Sequence, residues 1–208
     1  GGGWMGAGEP QGTGLTFGAV GEGRAARSHD TGDHEIERRA AVVIGLADSV
    51  GADEFGFLGF SLGGRVGFEL AASGPGRLSA LAIGGMHLLP PSLDRDRLER
   101  RIRVLRSGRA RSIELPDGDR PGNDPLALAA SHEALLRWEG ASGRLADHGT
   151  PTMLFCGEND GFFENARETA TQMGFEFVPL ADTDHDGAFF SPGPAVTTVA
   201  KCMQLHLR

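Results

Sequence analysis

The sequence predicts an α/β fold, a three-layer arrangement with a mostly parallel sheet, helices on both faces and a small helical insertion. Three observations carry that prediction. Short apolar runs at 55–60, 78–83, 151–156 and 175–180 alternate with helix-like stretches, the pattern of a sheet covered by crossover helices. Leu78-Ser79-Ala80-Leu81-Ala82-Ile83 suits a strand buried inside a parallel sheet. Gly59-Phe60-Ser61-Leu62-Gly63-Gly64 then joins one strand-like run to a helix-like run, as a tight strand-to-helix bend requires.

Taken in order, residues 1–28 hold ten glycines and no strand-like run longer than Leu15-Thr16-Phe17, so burial there offsets little backbone entropy. We expect a poorly ordered or divergent N-terminal segment. From Asp33, which can cap a helix, Ile36, Ala40, Val43, Ile44, Ala47 and Val50 recur at three- and four-residue steps, with Glu35, Arg38 and Arg39 off that stripe. Gly51 ends the helix. The strand at 55–60, the bend and a helix at 62–73 follow. Residues 29–85 and 149–208 read as the α/β core.

Residues 86–148 interrupt the alternation. Pro90-Pro91 breaks the chain; Leu93, Leu98, Ile102 and Leu105 mark one helix, and Leu126, Leu128, Leu135 and Leu136 another. This predicts a helical cap insertion over the strand ends. Eight arginines lie between Arg95 and Arg111, interleaved with Asp96 and Glu99, which reads as a solvated helix face. Beyond 148, the spacing predicts a strand at 151–156, a helix at 163–173, a strand at 175–180 and a closing helix at 194–206.

Composition narrows the partners. The 208 residues carry a net charge of −8, with a pI of about 5.3, which disfavours nucleic acid and anionic membranes. No run approaches a spanning helix, and no signal peptide is visible after Gly1. Cys156 and Cys202 form neither a disulfide framework nor a metal-binding spacing, so a reduced, cytoplasmic setting is expected, with Cys156 a small buried hydrophobe. We expect neither cofactor nor metal.

Three polar residues follow three strand-like runs. Ser61 follows 55–60, Asp160 follows 151–156 and His185 follows 175–180, where open α/β sheets bind ligands. A serine hydroxyl needs a neutral imidazole to take its proton, and a carboxylate behind the ring holds the tautomer. Ser61, Asp160 and His185 occur in the chain order nucleophile, then acid, then histidine; Glu158 is an alternative acid. The backbone N–H of Leu62, at the start of the following helix, would face the developing oxyanion. Asp184 and Asp186 would be supporting or solvated, and His87, His132 and His148 cap or surface residues.

Residues 29–208 resemble the α/β-hydrolase fold family. The resemblance rests on Gly59-Phe60-Ser61-Leu62-Gly63-Gly64, the Gly157-Glu158-Asn159-Asp160 turn and the Asp184-His185-Asp186-Gly187-Ala188-Phe189 segment. Leu81-Ala82-Ile83-Gly84-Gly85 and Asn123-Asp124-Pro125-Leu126-Ala127-Leu128-Ala129-Ala130 are similar to a subgroup of bacterial esterase-like hydrolases. The resemblance implies a cofactor-free serine hydrolase. It departs at the front, where Gly21-Glu22-Gly23-Arg24 to Ser28 only faintly matches the family's usual turn, as a truncated or divergent N-terminus would. The second oxyanion donor is then unassigned, with Gly3 or Trp4 the nearest candidates. If residues 1–28 are not ordered, the sheet keeps an exposed edge that favours homo-oligomerisation.

The expected activity is cleavage of a small, fairly apolar carboxylic ester or lactone through an acyl-enzyme on Ser61. The rival expectation is a catalytically weak or inactive ligand-binding module of the same fold. A haloalkane dehalogenase needs a carboxylate where Ser61 stands, and a metal hydrolase needs a ligand spacing the chain lacks.

Overall fold

The computed structural model describes residues 27–74, 76–89, 95–108, 124–145, 149–190, 197, 199 and 200. The glycine-rich residues 1–26, with Gly3 and Trp4, lie outside the described residues, as do His148, Cys202 and most of the 194–206 helix. Two compact units divide the chain. One contains Gly1–Gly14, Ala40–Leu89 and Ala141–Arg208; the other contains Leu15–Arg39 and Pro90–Gly140.

In the first unit, β1 (Phe55–Phe60), β2 (Leu78–Gly84), β3 (Thr152–Gly157) and β4 (Glu176–Leu180) form a parallel four-stranded sheet in the order β1-β2-β3-β4. All four carboxyl ends therefore share one edge. The register places Phe57 beside Leu81 and Leu154 beside Phe177, while Leu58 pairs with Ala82, Ala82 with Met153 and Phe155 with Val178. Because successive side chains alternate, these sets occupy opposite faces.

Helices α2 (Leu62–Ser73) and α5 (Phe163–Met173) cover the first face: the backbone of Gly67 lies against Leu81 and Phe57, and the Phe163 ring meets Phe177 at 5.6 Å. The second face packs Leu58, Phe60, Ala82, Met153, Phe155, Val178 and Leu180 against Ala188 of α6 (His185–Phe190) and Val199. This is the three-layer α/β fold expected. Leu81, Ile83 and Leu154 are fully buried, and each contributes about 1.5–3 kcal/mol of transfer free energy. No helix among the described residues is long and apolar enough to cross a membrane.

The second unit holds α3 (Arg95–Arg106) and α4 (Pro125–Arg137), packed together through Ile102, Leu105 and Ala129. Asp124 caps α4, its side chain accepting the Leu126 N–H at 2.9 Å, and Pro125 occupies the first turn, where a missing N–H costs nothing. The arginines of α3 lie on its solvated side, as expected: Glu99 pairs with Arg95 and Arg103, and Arg106 grips Glu133 of α4 through two bonds of 2.6 and 2.7 Å.

Helix α1 (Ile36–Ser49) buries Ile36, Ala40, Val43 and Ala47 as the stripe predicted, but its start and edges differ. Asp30, not Asp33, does the capping, and it caps a 3-10 turn at Thr31–His34 by accepting the Gly32 N–H. Arg39, expected off the apolar stripe, is 6 % exposed; its Nε donates to the His34 carbonyl and its Nη2 to the Ser131 hydroxyl, partners that sequence periodicity does not reveal. Val50, at the end of the stripe, is exposed.

Candidate active site

Ser61 stands between β1 and α2 with φ 52° and ψ −115°, a conformation that costs a non-glycine residue on the order of 1–3 kcal/mol. Backbone bonds hold it there. The Ser61 N–H donates to the Gly84 carbonyl of β2 at 2.9 Å, and the Ser61 carbonyl accepts the Gly64 N–H at 2.9 Å. The bend is so tight that a Cβ at Gly59 would meet the Gly63 carbonyl oxygen at 2.3 Å. Gly63, expected to share that role, has open space where its Cβ would point; on the helix side the crowding falls on Gly64, whose Cβ would lie 2.8 Å from Ile83 Cγ2. Helix α2 begins at Leu62, so the Leu62 N–H has no partner in the preceding turn of its own helix.

Asp160 closes the turn after β3. Its N–H donates to the Gly157 carbonyl, its carbonyl accepts from Phe163, and its Oδ1 accepts the Phe162 N–H at 2.9 Å. The turn is laced to the segment after β4: Glu158 N–H donates to the Leu180 carbonyl at 3.0 Å and Asn159 N–H to the Thr183 carbonyl at 2.9 Å. A Cβ at Gly157 would sit 2.2 Å from that Thr183 carbonyl, so only glycine permits this approach. Sequence alone offered Glu158 as an alternative acid; its side chain is exposed, and Asp160 is the carboxylate that meets His185.

His185, expected in a loop, opens the short helix α6. Asp184 caps it, its Oδ1 accepting the Gly187 N–H at 2.7 Å and its carbonyl accepting the Ala188 N–H at 3.0 Å. Asp184 is thus exposed and structural, and Asp186 is exposed on the first turn.

These elements bring Ser61, Asp160 and His185 together. His185 Nδ1 lies 2.7 Å from Asp160 Oδ2, and His185 Nε2 lies 3.0 Å from Ser61 Oγ. A carboxylate only accepts, so Nδ1 carries the proton and donates to Asp160; Nε2 of the neutral ring then accepts from the Ser61 hydroxyl. Burial pushes the Asp160 carboxyl upward, but the His185 bond, the Phe162 N–H, the histidine's charge and the Cys156 thiol together hold it below the usual range. The Asp160 bond raises His185 above its ordinary value; burial opposes this, and the charges of Asp160, Asp186 and Asp184 reinforce it. Cys156, expected as a buried hydrophobe, is fully buried, and burial followed by the Asp160 charge pushes its thiol far up, so it stays protonated.

His87, expected on the cap or surface, is 2 % exposed and stacks on Phe162, which in turn meets His185. Sequence reasoning did not single out Phe162 or the ring of Phe60. The available signals were Phe162's place two residues after Asp160, where its N–H can reach that side chain, and strand parity, which puts Phe60 on the α6 face. His132 is half-buried on α4; burial lowers its pKa despite its bond to the Leu128 carbonyl. A polar cleft lined by Asn159, Asp182, Thr183, Asp184 and Gly187 includes none of Ser61, Asp160 and His185. No cluster of three or more His, Cys, Asp or Glu side chains able to hold a metal occurs among the described residues.

No family model and no curated protein sequence matches the chain. Solved structures do. An enol-lactonase from Burkholderia xenovorans superposes with a TM-score of 0.72 at 20% identity, covering 88% of this chain and 77% of that one. A carboxylesterase structure from the ammonia-oxidising thaumarchaeon Nitrososphaera gargenis gives 0.69 at 14% identity over 89% and 76%. A bottromycin epimerase gives 0.72 at 17% identity over 89% and 77%. At these identities the likeness speaks for the fold. The chain has the α/β-hydrolase fold.

Proposed function

We propose that the protein is a serine hydrolase of carboxylic esters or lactones, with Ser61 as nucleophile, His185 as general base and acid, and Asp160 as the carboxylate that orients the imidazole. The observation that carries this reading is the unbroken line of hydrogen bonds, 3.0 Å from Ser61 to His185 and 2.7 Å from His185 to Asp160, ending on a strained bend.

Ser61 Oγ attacks the carbonyl carbon while His185 Nε2 takes the hydroxyl proton; the resulting imidazolium is stabilised by Asp160. The Leu62 N–H supports the oxyanion, and the start of α2 adds the positive end of its dipole. As the tetrahedral intermediate collapses, His185 gives its proton to the leaving oxygen and the acyl group remains on Ser61. Water then attacks the acyl carbon, losing a proton to His185, and the second collapse restores the Ser61 hydroxyl. The enol-lactonase and carboxylesterase likenesses favour a small ester or lactone.

The test is turnover of p-nitrophenyl acetate and butyrate by the wild-type protein and by Ser61→Ala. Turnover that disappears in the variant is expected; an equal rate in the two proteins overturns the proposal. Binding of a small ester without any consumption would instead favour a ligand-binding module.

A further inference from the structure

Two aromatic rings that the chemistry above does not use meet the imidazole of His185. The Phe60 ring, one residue before the nucleophile, lies 5.0 Å from it at an interplanar angle of 50°. The Phe162 ring lies 5.7 Å away, edge-on at 74°. Each is anchored elsewhere. Phe60 packs against Phe155 of β3 and Phe189 of α6. Phe162 meets the buried His87 ring at 5.3 Å, and His87 Nδ1 accepts the Leu89 N–H at 3.1 Å, while the adjoining Leu88 N–H reaches Thr169 on α5.

Phe162 is also tied to the acid. Its backbone N–H occupies Asp160 Oδ1, which leaves Oδ2 for His185. One residue thus fixes which carboxylate oxygen faces the histidine and bounds the space in which the histidine ring can turn.

We propose that Phe162 is a positioning residue for the Ser61–His185–Asp160 line, its N–H setting the rotation of the Asp160 carboxylate and its ring, braced by His87, pressing the imidazole of His185 toward Phe60. This rests on the serine hydrolase reading. An imidazole free to rotate about its side-chain bonds loses either the 2.7 Å bond to Asp160 or the 3.0 Å bond to Ser61. Removing the ring therefore lowers the rate of Ser61 attack. It also weakens the Asp160 bond that holds His185 high and relieves the burial that holds it low, so the pH at which the base becomes neutral shifts. The charged groups acting on His185 are Asp160 from the turn after β3 and Asp184 and Asp186 from its own segment; β1 and α2 present only the neutral Ser61.

The test compares wild type, Phe162→Ala, Phe162→Leu and Phe162→Tyr by the second-order rate of fluorophosphonate labelling and by kcat and KM for p-nitrophenyl butyrate, each from pH 5 to 9. Displacing a catalytic group by about 1 Å costs roughly 10²-fold, so Phe162→Ala should label and turn over 10- to 100-fold more slowly, with kcat reduced and KM nearly unchanged. Its acid-limb midpoint should move away from the wild-type value. Phe162→Leu should lie between, and Phe162→Tyr should restore both rate and midpoint. The midpoint does not depend on how much of a variant is folded, so a loss of stability cannot imitate the shift. Wild type that labels on Ser61, beside a Phe162→Ala variant with the same rate and midpoint, overturns this inference and leaves the hydrolase proposal standing. Wild type that does not label at all removes both.

Discussion

The helix pair α3–α4 and the strand-end cluster around Ser61 are both rich in polar contacts, but those contacts serve different ends. On α3 and α4 the charged groups sit in water: Arg106 and Glu133 are partly exposed despite their two short bonds, and Arg95, Glu99 and Arg103 form an open ladder. Solvent screens such pairs, and the cost of ordering two long side chains consumes most of the gain. Around Ser61 the polar groups are fewer and sunk among apolar ones. The Asp160 side chain is 2 % exposed, and each of its bonds fixes an atom the chemistry needs. The difference teaches that bond length alone does not reveal a functional contact; burial and direction do.

The largest effect that could break this comparison is at the cluster. Ser61→Ala should lower ester turnover by at least about 10³-fold, since removing the nucleophile leaves only binding and oxyanion contributions. Asp160→Asn should cost about 10³–10⁴-fold in kcat through loss of the tautomer that aims Nε2 at Ser61, with near-normal circular dichroism.

A smaller effect is in stability. Glu69 of α2 is buried, with a side chain 1 % exposed, and takes two 2.7 Å bonds from Arg144 and a 2.6 Å bond from Ser73. Arg144→Ala removes two of that carboxylate's bonds and should lower unfolding free energy by about 2 kcal/mol, less than for a fully buried pair because Arg144 is itself half-exposed. Arg106→Ala, at the surface, should cost under about 1 kcal/mol by urea denaturation and leave ester turnover unchanged. Equal losses for the two arginine variants would contradict the comparison.

The pH dependence sharpens it. The proposed mechanism needs neutral His185, and its pKa is raised, so the acid limb of kcat/KM should fall above the ordinary histidine value of about 6.5. Asp184→Asn or Asp186→Asn should move that limb down slightly, because each carboxylate favours the charged ring. Stability runs the other way. A raised histidine contributes stability that is complete below its unfolded value and is lost as pH rises through its folded value. The lowered Asp160 contributes above its unfolded value and loses that contribution as pH falls through its folded value. The pair should therefore stabilise the fold most on the acid side of the activity limb, and a thermal-melting profile of Asp160→Asn should lack that feature.

Much of this was legible in the sequence where the determinants are local. The bounds 55–60, 62–73 and 163–173 recur as β1, α2 and α5, because a short apolar run before a tight bend, or a 3.6-residue stripe with a glycine stop, requires few distant partners. Ser61, Asp160 and His185 could be picked out because each follows a strand whose parallel neighbours share one carboxyl edge. What was not legible depends on contacts far apart in the chain. His185 starts a helix through the Asp184 cap; Arg39 is buried beside His34 and Ser131, which accept from it; His87 lies inside because its neighbours are Phe162 and the backbone of Leu89. No local pattern separates such residues from solvated ones. Most of the closing helix, and the Gly3 and Trp4 candidates for a second oxyanion donor, fall outside the described residues.

The most direct measurement is intact-protein mass after incubation with a fluorophosphonate, followed by peptide mapping, with Ser61→Ala as control. The account predicts one adduct on wild type, located on Ser61, and none on the variant. A folded wild-type protein that gains no mass, or gains it equally in Ser61→Ala, would contradict it.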